Sequence, residues 1–128
     1  MKKIINYCPH DVTVFTGAIY DPSIGKYRGG NATVNFPSSG IVATATSSIK
    51  PCEPMECSGV NIPMCNREFA NCTKIPDDDN LYIVSSVFAE ACKALGCKFL
   101  DRLLTPYGLV VNDHGRTTGC VGMISYGQ

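Results

Sequence analysis

Between Leu81 and Gly96 the pattern of apolar and polar positions changes period within one stretch. Leu81-Tyr82-Ile83-Val84 is a short apolar run of strand type that turns on Ser85-Ser86. Val87, Phe88, Ala91, Cys92 and Leu95 then recur at i, i+1, i+4, i+5 and i+8, one face of a helix. Ser85 or Ser86 suits the N-cap, Lys93 the last turn and Gly96 the position just past the end. The spacing therefore predicts a helix over about residues 86–95. Glu90 falls four residues after Ser86 rather than three, so the capping box is incomplete. A strand feeding a serine-capped helix presents free backbone N–H groups at a positive dipole end, where an anion can be held. Plain capping is the alternative role of the two serines.

Elsewhere the period is two and the runs are short. Ile4 to Thr16 reads as a first strand or pair of strands, with Pro9 breaking the run ahead of Asp11-Val12-Thr13-Val14. Asp21-Pro22-Ser23-Ile24-Gly25 and Gly29-Gly30 are turn chemistry, which suggests a hairpin of Thr13–Tyr20 with Tyr27–Phe36. Phe36-Pro37-Ser38-Ser39-Gly40 is a further turn, and Ile41 to Ile49 a strand with small side chains. Residues 50–79 hold four prolines, four cysteines and six of the acidic residues. They read as an irregular Cys/Pro-rich excursion with one short strand at Val60, Ile62 and Met64. Asp77-Asp78-Asp79-Asn80 closes it as a solvated turn, because the alternating ligands and glycine of a calcium loop are missing. After the helix, Lys98 to Leu104 reads as a strand and Thr105-Pro106-Tyr107-Gly108 as a turn. Leu109-Val110-Val111 and Thr117 to Ser125 follow as strands joined by the hairpin turn at residues 112–116. The expectation is one α+β domain over residues 1–128. It holds a mainly antiparallel sheet of six to eight short strands and one substantial helix.

Composition narrows the classes. Eleven basic residues balance eleven acidic ones in 128, with a hydrophobic fraction of 45%. That balance gives no electrostatic footprint for duplex nucleic acid or an anionic membrane, and near-zero net charge favours a homo-oligomer. Met1-Lys2-Lys3 starts like a signal peptide, but Asn6, Pro9, His10 and Asp11 interrupt any apolar core. No stretch approaches the roughly 18 apolar residues that span a bilayer. A cytoplasmic protein is expected. Eight cysteines then read as buried free thiols rather than a disulfide framework. Cys92 and Cys97 lie about 140° apart round a helix and do not share a face. If any metal binds, Cys52, Cys57, Cys65 and Cys72 are the candidates, although their spacings match no zinc ribbon or knuckle.

Four segments look familiar together: Asn6-Tyr-Cys-Pro-His-Asp-Val-Thr-Val14, Phe36-Pro-Ser-Ser-Gly40, Tyr82-Ile-Val-Ser85 and Asp113-His-Gly-Arg-Thr-Thr-Gly-Cys120. They resemble a family of small uncharacterised proteins of phages, prophages and actinobacteria. Those proteins begin with an Asn-Leu-Thr-Pro-His-x-Val-x-Val type of segment and carry a Tyr-Ile-Val-Ser strand before a helix. The chain departs from that pattern at Tyr7-Cys8, and the likeness leaves out residues 50–79. It brings no established activity.

No Walker loop, Gly-x-Gly-x-x-Gly, His-Glu-x-x-His or Gly-x-Ser-x-Gly elbow occurs, so no catalytic residue is nominated. Of two histidines, His114 sits in a hairpin turn and His10 at the start of a strand. His10, Ser38, Ser39, Ser85, Ser86, Arg102 and Thr105 all fall at strand ends or turns, where binding groups gather. Hydroxyls, backbone N–H groups, one histidine and one arginine suit phosphate or ribose, and Tyr7, Tyr20, Tyr27, Phe88 or Tyr107 could stack a base. Each of these residues also has an ordinary role as a cap, turn or core residue. The leading expectation is a non-enzymatic phage protein, without a cofactor, that binds a small anionic ligand. A cyclic nucleotide or ADP-ribose derivative, sequestered to counter host defence, is the class expected. The alternatives are a protein inhibitor of a host enzyme and a small hydrolase acting on a nucleotide.

Overall fold

The computed structural model describes residues 2–127. In chain order its strands begin with β1 (Ile4–Asn6), β2 (Val12–Thr16), β3 (Ile19–Asp21), β4 (Lys26–Arg28) and β5 (Asn31–Phe36). Two long strands follow, β6 (Thr46–Cys57) and β7 (Val60–Ala70), and then β8 (Leu81–Ile83). The helix α1 spans Ser86–Leu95, a 3-10 turn covers Lys98–Arg102, and β9 (Leu103–Val111) and β10 (Thr117–Ser125) end the chain.

The main sheet runs β1-β8-β9-β10-β2-β5, with the β3–β4 hairpin attached through β4 to β9. The class is α+β, but the sheet is mixed rather than mainly antiparallel. β1 with β8, β8 with β9, β4 with β9 and β2 with β10 all pair in parallel. β9 with β10, β2 with β5 and β3 with β4 are antiparallel. The reason is connectivity. α1 is a crossover, so β8 and β9 run the same way, and β1 reaches β8 only after a long excursion; parallel pairs require such connections. The hairpin expected around Tyr20 and Tyr27 is present, with Tyr20 opposite Tyr27 and Thr13 opposite Asn35.

Three other expectations are corrected. Residues 50–70 are not irregular: β6 and β7 form a two-stranded antiparallel ribbon with Thr46 opposite Ala70 and Cys57 opposite Val60, and only residues 71–79 of the excursion lie outside regular structure. Its tip is Ser58-Gly59, both at positive φ (52° and 79°), the backbone of a tight primed turn. Its prolines are tolerated because both strands are edges, and a bulge lies between Cys52 and Met55. Ile41–Ala45 lies outside the strands, and only Thr46–Ile49 of that run is extended into the ribbon. Thr105–Gly108 is continuous strand rather than turn, and Lys98–Arg102 is the 3-10 turn that precedes it. The ribbon and the short β3–β4 pair bring the described strands to ten.

The helix forms over the residues the period predicted, but its buried residues are Phe88, Ala89, Ala91 and Cys92, while Val87 and Leu95 of the expected face are exposed. Ser85 is the N-cap in extended conformation and its side chain accepts from the Phe88 N–H; Gly96 ends the helix in the left-handed region (φ 67°). The buried face of α1, with Phe88, Ala89 and Cys92, packs on Tyr7, Tyr82, Val84 and Leu103. Burial of Phe88 or Leu103 contributes about 1.5–3 kcal/mol each. A second cluster, on Cys8, Val12, Ile83, Leu104 and Cys120, takes the alternate residues of β8 and β9. No helix among the described residues is long and apolar enough to cross a membrane.

Candidate functional site

Two clefts, each of about 630 Å³, lie at opposite ends of the parallel strands β1 and β8. The one at the carboxyl ends is lined by Cys8, Pro9 and His10 after β1, and by Val84, Ser85 and Ser86 after β8. Thr117, Thr118, Gly119 and Cys120 of β10 close it. Open α/β sheets place ligands at the carboxyl ends of parallel strands for a physical reason: the helix that follows points its free N–H groups there.

His10, Ser85 and Ser86 are thus brought together as expected. The His10 ring nitrogen Nδ1 lies 2.9 Å from the Asp11 carbonyl oxygen. Donation to that carbonyl places the proton of the neutral ring on Nδ1 and leaves Nε2 as an acceptor; a protonated ring offers Nε2–H as a second donor. Ser85 Oγ is engaged by the Phe88 N–H at 3.2 Å, whereas Ser86 is exposed at the first position of the helix. Gly119 is required by close approach: a Cβ there would lie 2.4 Å from the Thr13 carbonyl oxygen and 2.5 Å from the Phe15 ring.

Asn6 is the residue that sequence reasoning missed. It is 2% exposed, and its side chain donates to the His10 carbonyl (2.9 Å) and the Phe36 carbonyl (2.8 Å). Its Oδ1 accepts from the Cys8 N–H at 2.8 Å. The Asn6 amide therefore pins the loop that carries His10. The signal was present as an asparagine in an otherwise apolar run just ahead of Pro9-His10. Burial satisfied by three bonds is the structural content of that pattern.

The other four candidates do not reach this cleft. Ser38 serves the loop, donating from Oγ to the Cys8 carbonyl (2.8 Å) and from its N–H to Asp11 (3.0 Å). Ser39 is used locally, with its Oγ near the Ile41 backbone. Arg102 lines the opposite cleft, at the amino ends of β1 and β8, together with Lys2, Asp77, Asp78, Asp79 and Lys98. There it pairs with Asp78 at 3.1 Å and lies over the Tyr82 ring, 5.8 Å from its centroid. One of its five N–H donors is thereby engaged by a carboxylate. Thr105 is 1% exposed, and its hydroxyl has no hydrogen-bond partner.

The aromatic residues are also spent elsewhere. Tyr7 packs edge-on against Tyr82 in the core, Tyr20 against Tyr27 on the hairpin, and Phe88 stacks on Phe99. Tyr107 stands exposed on β9. The thiols in the cleft are those of Cys8 and Cys120, and burial pushes both up from the ordinary thiol range. A raised thiol is the opposite of an activated nucleophile.

The four cysteines named for the case that a metal binds do not converge. Cys52 and Cys57 share a ribbon face, Cys65 points to the other, and all three are exposed. The sulfurs that gather are those of Cys72, Cys92 and Cys97, all within 4.8 Å of one another. The helical estimate that separated Cys92 from Cys97 fails because α1 ends between them. Gly96 reverses the chain, and the Cys97 N–H bonds the Cys92 carbonyl at 3.0 Å.

No protein-family model, curated protein or solved structure matches the chain.

Proposed function

We propose that the protein binds a small ligand bearing an anionic group in the cleft at the carboxyl ends of β1 and β8, and returns it unchanged. The observation that carries this reading is the meeting of His10, Ser85 and Ser86 at the start of α1, with Thr117 and Thr118 facing them. Hydroxyls, one imidazole and free helix N–H groups suit a phosphoryl or carboxylate group. The apolar side chains of Val12, Val84 and Leu109 suit the rest of a small molecule. The raised thiols of Cys8 and Cys120 favour binding over thiol catalysis. The finer reading rests on analogy with other small phage sequestering proteins and not on a motif: the ligand is a nucleotide second messenger, sequestered so that a host defence system is not triggered. The binding form is a homo-oligomer.

The test is incubation of purified protein with cyclic di- and trinucleotides and cyclic ADP-ribose isomers, followed by heat denaturation and recovery of the small molecules. One compound should be depleted from solution and released intact. Ser86→Ala and His10→Ala should each weaken its binding about tenfold, the loss of one hydrogen bond to a charged group. A converted product would replace sequestration with catalysis. Depletion of none would reject the nucleotide class.

A further inference from the structure

We propose that Cys72, Cys92 and Cys97 form a three-thiolate site for one thiophilic closed-shell cation, Cu(I) or Zn(II), apart from the cleft. Three separate pieces of chain supply the ligands. Cys72 follows the ribbon and is held against residue 44 by the Thr73 N–H, which donates to the Thr44 carbonyl at 2.9 Å. Cys92 lies on the buried face of α1, fully enclosed, and Cys97 returns to it through the Gly96 turn. Three sulfurs bound to a single ion at about 2.3 Å stand about 3.8 Å apart. The observed separations, all within 4.8 Å, therefore close by small side-chain adjustments.

Access also suits an ion. Cys72 and Cys97 are half-buried, so the site opens to solvent on one side while Cys92 forms its floor. Exposed Lys74, Lys93 and Lys98 each lie within two residues of one of the three cysteines in sequence. No histidine, carboxylate or further cysteine joins the three among the described residues. A sulfur-only set of three selects soft ions: Cu(I) is satisfied by three thiolates, and Zn(II) takes its fourth ligand from solvent. Binding forms three sulfur–metal bonds and releases the three thiol protons.

Purified full-length protein, kept reduced, is titrated anaerobically with Cu(I) and separately with Zn(II) against a competing chelator, with proton release followed in weak buffer. One ion per chain should bind, with release of about three protons. Cys72→Ser and Cys97→Ser, both at half-exposed positions, should each lower the affinity at least about tenfold while the apo proteins keep their folded spectra. The triple variant Cys52→Ser, Cys57→Ser, Cys65→Ser should bind as the parent does. Whichever ion outcompetes the chelator identifies the cation. The proposal is overturned if neither ion binds stoichiometrically, if Cys72→Ser and Cys97→Ser bind normally, or if the ribbon triple variant abolishes binding.

Discussion

The Tyr82 phenol and the Asp78 carboxylate share one hydrogen bond of 2.6 Å, and that bond pulls their acidities apart. Burial first, and then the bond to Asp78, push the Tyr82 phenol up to about 12. The same bond is the largest cause holding the Asp78 carboxyl below its usual range, with the Asn80 N–H and Arg102 adding to it. A phenol raised in the folded state supports stability below its unfolded value of about 10 and loses that support as pH rises through about 12. Asp78 acts in the opposite sense: its support is present above an unfolded value of about 3.9 and is lost as pH falls through the folded value. Urea unfolding across alkaline pH should show stability falling between these two tyrosine values, with a shallower fall in Tyr82→Phe. An equal slope in both proteins would mean that Tyr82 is not the group responsible. The pair also explains why Arg102 could not be placed from the chain alone. Its partner lies 24 residues away in an aspartate run that reads as a solvated turn. The convergence of His10 with Ser85 and Ser86 was legible because each flanks a strand read correctly from its period.

Among the elements, α1 is the place where local signals agree. Its apolar period, the Ser85 cap, Lys93 and Gly96 all specify the same ten residues, Ser86–Leu95. Ser85→Ala should cost about 1 kcal/mol of unfolding free energy, because the Phe88 N–H loses its acceptor. Ser86→Ala should change stability by less than about 0.5 kcal/mol and yet weaken ligand binding. Chemical denaturation beside a binding titration separates the two serines, and a stability loss at Ser86 alone would reverse their roles. Other elements were hidden for physical reasons. Pro106 and Gly108 look like turn residues, yet β9 carries them as an interior strand, with Met123 opposite Pro106 and Gly108 at φ 69°. The β6–β7 ribbon was masked by its prolines, whose cost vanishes when a strand has an unpaired side. The parallel pairing of β1 with β8 spans the whole ribbon, so no local pattern could announce it.

At the scale of the molecule, the ribbon is the feature least satisfied by a single copy. Of its strand residues, Phe69 alone is half-buried and the rest are exposed. Paired residues share a face, so the register places Cys52, Met55, Cys57, Val60, Ile62 and Met64 together toward the tip. Lys50 and Glu68, in a loose ion pair at 3.8 Å, border that face toward the base. A two-stranded ribbon is marginal in water by itself, and a continuous apolar face is the kind of surface that a partner covers. In the homo-oligomer proposed above, this is the face that a second copy would cover. A two-fold axis sets an apolar surface against itself, and a formal net charge of zero leaves little repulsion to resist the pairing. The homo-oligomer proposed above would then be seated on the ribbon. Parent protein should sediment above the 13.8 kDa of one chain, and Met55→Glu with Ile62→Glu should bring it down to that mass with the folded spectrum retained. Each carboxylate would have to be buried against its copy, a cost that self-association cannot absorb. A parent that sediments as a single chain would leave the apolar face to a different protein. A double variant that still associates would move the interface away from the ribbon.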